Sequence, residues 1–132
     1  GLPMGALVSN AKFADVLVAP SHASTFGGNP VSCAGALSIL KRIDENLLAD
    51  VKKKSAMVFA ALQGAPGVES VSGMGLMIGI KTVKPASDVV KACMENGVLC
   101  LTAKDKVRLL PALNIPEDVL MKAVDVIKGA CA

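Results

Sequence analysis

The sequence contains no tryptophan, no tyrosine, three phenylalanines and one histidine. With aromatics at 2% and apolar residues at 52%, any core has to be assembled from the methyl groups of Ala, Val, Leu, Ile and Met. No apolar run reaches the ~18 residues of a membrane-crossing helix, because Gly, Pro, Lys or Asp interrupts each one. The four cysteines, Cys33, Cys93, Cys100 and Cys131, form no Cys-x-x-Cys pair, and the lone His22 cannot complete a zinc set. Reduced thiols and a cytoplasmic setting are therefore expected. Gly1-Leu-Pro-Met carries no basic stretch followed by an apolar one, so no secretory leader is expected either.

A length of 132 residues suits one domain with a real core and is short for two. The net charge of +3 owes much to Lys52-Lys53-Lys54. Without interleaved aromatics or clustered arginines, that run reads as a solvated helix face rather than a nucleic-acid patch.

Short apolar pieces punctuated by Pro3, Gly5 and Pro20 occupy Leu2 to Ala19 and suggest strand and loop. The character changes at Asn29, a good N-cap followed by Pro30 at the first helical position, and the apolar spacing predicts a helix to about Asp44. A second helix is expected over Asn46 to Gln63, with Leu47, Leu48, Val51, Met57, Val58 and Leu62 on one side and the lysines on the other. Strands follow at Val68–Val71 and Met74–Thr82, separated by a turn at Ser72-Gly73. A helix over Ala86–Glu95, strands at Val98–Leu101 and Lys106–Leu110, and a helix starting at Pro116 complete the pattern. The fold class is α/β: a layered unit over residues 29–132, to which residues 1–28 do not belong by pattern.

Three stretches could carry chemistry. Gly73-Met-Gly75-Leu-Met-Ile-Gly79 has one residue too many for a dinucleotide fingerprint and leads into a strand, so its glycines read as places of close backbone approach. His22-Ala-Ser-Thr-Phe-Gly-Gly-Asn-Pro30 can offer two hydroxyls, Ser24 and Thr25, and helix N-terminal donors to an anion such as phosphate; the alternative is that it is simply a turn. Arg108 lies between apolar residues on an expected strand, where a guanidinium needs a carboxylate or phosphate, either from a ligand or from an internal ion pair. His22 has no nucleophile beside it and reads as a loop residue.

In this order, "GLPMGA", "HASTFGGNPVSCAGAL", "GMGLMIGI" and "VRLLPALNIPEDV" resemble the C-terminal third of the class III aminotransferases, fold-type I enzymes that use pyridoxal phosphate. The likeness is greatest to the acetylornithine branch, with the ornithine and 4-aminobutyrate branches as alternatives. The resemblance implies amino transfer between N-acetylornithine and 2-oxoglutarate, as in arginine biosynthesis, by a homodimer. It implies that Thr25 contacts the cofactor phosphate across the dimer interface, that Ser24 lies by the substrate, and that Arg108 of the Arg-x-x-Pro motif binds a substrate carboxylate. It also implies that residues 1–28 belong to a large cofactor domain and that Asn29-Pro30 opens the helix into a small C-terminal domain, residues 29–132.

Two departures stand out. Ser72 occupies a position where many members carry Arg. The family's Schiff-base lysine precedes the "GLPMGA" segment, and no lysine here stands in its place; the ring-stacking aromatic and the acid that pairs with the ring nitrogen are missing too. The isolated chain is thus expected to bind no cofactor and to be inactive. A reading of another class is a stand-alone α/β ligand-binding or interaction domain; partners other than small amino and oxo acids, nucleic acid and membrane included, are not expected.

Overall fold

The computed structural model describes residues 2–132, which divide into two compact units, the first ending at Asp44 and the second running from Glu45 to Ala132. The first is built around helix α1 (Pro30–Leu40). Asn29 caps it by accepting from the Val31 and Ser32 amides at 3.0 and 3.1 Å, and Pro30 occupies the first turn, where a missing N–H costs nothing. The expected strand pieces before it do not form: a three-residue 3-10 turn, Ala11–Phe13, is the only regular element among described residues ahead of α1. No described residue of this unit is buried; Leu7, Val8, Phe26 and Leu37 are among those that stand exposed.

The second unit holds every buried residue among those described. Its sheet has the order β1 (Val68–Met74), β2 (Met77–Thr82), β4 (Lys106–Leu109), β3 (Leu101–Ala103), antiparallel throughout. Strand alternation gives one face to the core: Ile78 pairs with Leu109 and Ile80 with Val107, all four buried. Helices α2 (Glu45–Leu62), α3 (Ala86–Glu95) and α4 (Glu117–Cys131) supply the other layer. Their buried residues keep helical spacing: Val51, Lys54, Val58 and Leu62 on α2, Ala86, Val89 and Cys93 on α3, and Leu120, Val124, Ile127 and Cys131 on α4. Each fully buried Leu, Ile or Val contributes about 2 kcal/mol of transfer free energy, which is how a core without aromatic bulk holds.

Three expectations need correction. The lysine run is not wholly solvated: Lys52 and Lys53 are exposed, but Lys54 falls on the apolar stripe, where its ammonium bonds Asp50 one turn back. The first hairpin turns at Gly75-Leu76, not Ser72-Gly73, because Gly75 adopts φ 57° at the first turn position while Leu76 drops into the core. Gly73 lies within β1 at φ 147°, and a Cβ there would meet the Met77 carbonyl oxygen at 2.1 Å, the close backbone approach expected of this stretch. Finally, β3 covers Leu101–Ala103 rather than Val98–Leu101, since the two-residue turn Lys104-Asp105 fixes its register on β4.

Candidate functional site

The face of the sheet turned away from the helices is open. Strand register places Ser72, Gly79, Arg108 and Leu101 side by side in one row across all four strands. The neighbouring row runs Ser70, Lys81, Lys106, Ala103. Arg108 is thus on the exposed side of β4, between the buried Val107 and Leu109. It makes no ion pair among the described residues. Gly79 beside it contributes no side chain, and the Lys106 stem runs over it: a Cβ built there would meet the Lys106 Cδ at 3.2 Å.

The cations next to Arg108 differ in their commitments. Lys81 lies between two carboxylates, Glu69 at 3.4 Å and Asp105 at 3.9 Å. Lys106 has no acidic partner among the described residues; its ammonium donates to the Ser72 hydroxyl at 2.9 Å, and Ser72 in turn is 3.4 Å from the Gly79 carbonyl. Reading the residues one at a time misses Lys106, yet the alternation Lys106-Val-Arg-Leu109 puts both cations on one face of a strand.

Ser24 and Thr25 share one turn in the first unit. The Gly27 amide donates to the Ser24 carbonyl at 3.4 Å and the Asn29 amide to that of Phe26 at 3.2 Å. Asn29 already takes the Val31 and Ser32 amides, so the donors at the start of α1 are spent within the unit. The hydroxyls of Ser24 and Thr25 are exposed and have no partner among the described residues. That arrangement fits a phosphate brought from outside the unit, which two hydroxyls can contact without enclosing it. A depression of about 180 Å³ alongside is lined by Ser24, Phe26, Asn29 and Ser32, among others, and not by Thr25.

The remaining reactive residues do not form a site. His22 is exposed. Cys93, Cys100 and Cys131 are buried together, and burial pushes all three thiols up, Cys100 to about 12. They are proton-bearing packing groups rather than nucleophiles. Among the described residues no group of His, Cys, Asp and Glu is arranged to hold a metal, and no helix is long and apolar enough to cross a membrane.

The chain belongs to the class III aminotransferases, whose family model matches residues 1–131. It is 44% identical to the acetylornithine aminotransferase of Haemophilus ducreyi, over 96% of this chain and 33% of that protein. It is 42% identical to the acetylornithine aminotransferase of Streptomyces coelicolor, over 98% and 33%. The crystal structure of acetylornithine aminotransferase from Elizabethkingia anophelis superposes with a TM-score of 0.76 at 29% identity, covering 93% of this chain and 33% of that one. The chain thus spans about a third of the length of these relatives.

Proposed function

We propose that the whole protein transfers an amino group between N-acetylornithine and 2-oxoglutarate with pyridoxal phosphate, in the cytoplasm, as a homodimer serving arginine biosynthesis. The observation that carries the reading is Arg108, exposed and unpaired on the open sheet face, in a chain whose relatives are named acetylornithine aminotransferases. An arginine fork binds a carboxylate through two charge-assisted hydrogen bonds, and both substrates carry one. Arg108 therefore orients the substrate by its carboxylate, and the rigid ladder on both sides of β4 fixes where that carboxylate sits. Thr25 contributes a hydroxyl to the cofactor phosphate of the neighbouring subunit, and Ser24 lies against substrate there. When bound, pyridoxal phosphate supplies the electron sink that this chemistry needs.

In this reading residues 1–28 complete the large cofactor domain and 29–132 form the small domain, with α1 leading from one to the other. The 132 residues alone hold contacts for phosphate and carboxylate and are inactive by themselves. A second reading, an ornithine-type enzyme, has support in the ornithine delta-aminotransferase of Plasmodium falciparum, which superposes with a TM-score of 0.73 at 29% identity over 93% of this chain and 34% of that one.

Steady-state assays of the whole protein with pyridoxal phosphate test both. N-acetylornithine should exceed ornithine and 4-aminobutyrate as donor, and Arg108→Ala should raise KM for 2-oxoglutarate about 10- to 100-fold, the loss of roughly 1.5–3 kcal/mol of charge-assisted bonding. A preference for ornithine, or an Arg108→Ala variant with unchanged kinetics, contradicts the corresponding part.

A further inference from the structure

Asn96-Gly97 is the one Asn-Gly pair in the sequence; Asn10, Asn29, Asn46 and Asn114 each precede a larger residue. It stands at the C-terminal end of α3, and both of its residues are exposed. Gly97 takes φ 81°, and the helix closes in a Schellman motif: the Val98 amide donates to the Cys93 carbonyl at 2.9 Å and the Gly97 amide to that of Met94 at 3.1 Å. The Asn96 side-chain amide adds a third bond, to the Ala92 carbonyl at 2.9 Å. This closure turns the chain back so that Cys100 joins Cys93 in the core. Around the pair itself there is open space, since a Cβ built at Gly97 would meet nothing within 4 Å.

We propose that Asn96-Gly97 is a site of spontaneous deamidation, a modification that unfastens the end of α3 as the chain ages. The Gly97 amide nitrogen attacks the Asn96 side-chain carbonyl carbon; a C–N bond forms, the bond to the side-chain nitrogen breaks, and ammonia leaves with the proton that Gly97 gave up. Water then opens the five-membered imide at either carbonyl, giving aspartate or isoaspartate. Both nitrogens are hydrogen-bonded in the closed cap, so the reaction waits for the last turn to fray, an opening that helix ends make cheaply. Glycine lets the ring close, because no Cβ hinders the approach. Neither product rebuilds the cap. Aspartate has no N–H for the Ala92 carbonyl, and it sets a negative charge at the negative end of the helix dipole, next to Glu95. Isoaspartate lengthens the main chain by one carbon ahead of Gly97, which spoils the spacing that joins Val98 to Cys93.

Peptide mapping by mass spectrometry, on chain held at about pH 8.5 and 37 °C, tests this without cofactor or turnover. Over about four weeks the peptide carrying Asn96 should gain about 1 Da in roughly a fifth of the molecules or more, while Asn10, Asn29, Asn46 and Asn114 stay intact. In guanidinium chloride, where no cap remains, the gain should come about tenfold faster, as control by local opening requires. Asn96→Gln, which can close only a slower six-membered ring, should abolish it. The deamidated fraction, separated by its extra negative charge, should react with a thiol reagent at Cys93 and Cys100 roughly threefold faster than fresh chain, with Cys33 in the other unit unchanged. An Asn96 that stays intact in the folded chain while the denatured chain loses it overturns the proposal. Deamidation that leaves Cys93 and Cys100 as unreactive as before overturns the unfastening of α3.

Discussion

Lys54 shows how one side chain can be read wrongly from its neighbours. In Lys52-Lys53-Lys54 the charge is uniform, but the helical phase is not, and 54 is the position that continues the stripe from Val51 to Val58. Its stem packs in the core layer while the ammonium reaches Asp50, which is itself partly solvated. Replacing Lys54 by Met keeps the stem and removes the buried charge, so urea unfolding should show unchanged or slightly higher stability. Asp50→Asn leaves that ammonium unpaired and should cost about 1–2 kcal/mol, the partial exposure of Asp50 keeping the loss below that of a wholly buried pair.

The buried thiols of Cys93, Cys100 and Cys131 make a separate prediction about pH. Folding holds their protons beyond the ordinary value of 9.0, with Cys100 up at about 12. Above pH 9 the unfolded chain loses those protons first and the folded chain retains them, so stability must fall as pH rises from about 9 towards 12. Well below 9 the thiols are protonated in both states and contribute no slope, whereas at 9 the unfolded thiols are half ionised. Urea midpoints should therefore fall slightly from pH 7.5 to 9 and more steeply from 9 to 10.5; a midpoint that rises above pH 9 would contradict the buried, neutral assignment. A thiol reagent should meet Cys33, partly accessible, well before the other three.

Among the elements, α3 was legible in its extent: the expected helix over Ala86–Glu95 forms with those bounds, and the Asn96-Gly97 pair stops it. The two hairpins were not. One turns through Gly75-Leu76, and a buried leucine in a turn looks like strand; the other turns through Lys104-Asp105, with Lys104 at φ 56° where glycine or asparagine would have announced it. The carboxylate candidate Arg108 was legible because a charge amid apolar residues is expensive. Lys106 was not, since its meaning depends on Ser72 and Gly79, 34 and 27 positions away and brought alongside only by register. Gly73→Ala tests the hairpin most sharply. The added methyl would strike backbone that cannot move aside, at a φ that side chains avoid, and should cost about 3 kcal/mol by urea denaturation, against a few tenths for Ser70→Ala on the open face.

For the molecule as a whole, the contrast lies between a unit with a core and one without. Among the described residues every buried one follows Glu45, so residues 45–132 contain what an independent folding unit needs. Expressed alone, they should unfold in a single calorimetric transition with an enthalpy of about 60 kcal/mol near 60 °C; the lack of Trp and Tyr makes calorimetry and far-ultraviolet dichroism the suitable probes. A broad transition without a heat-absorption peak would contradict an autonomous core. The first unit instead exposes Leu7, Val8, Phe26 and Leu37, surface of the kind that proteins bury against further chain or a second subunit.

The central claim is that the open face of this sheet, with Arg108 at its middle, receives a substrate carboxylate. A crystal structure of the whole protein grown with glutarate tests it most directly. The account predicts a carboxylate within about 3 Å of the Arg108 guanidinium nitrogens. Arg108 paired instead with an acidic side chain of the protein, and glutarate bound elsewhere, would contradict it.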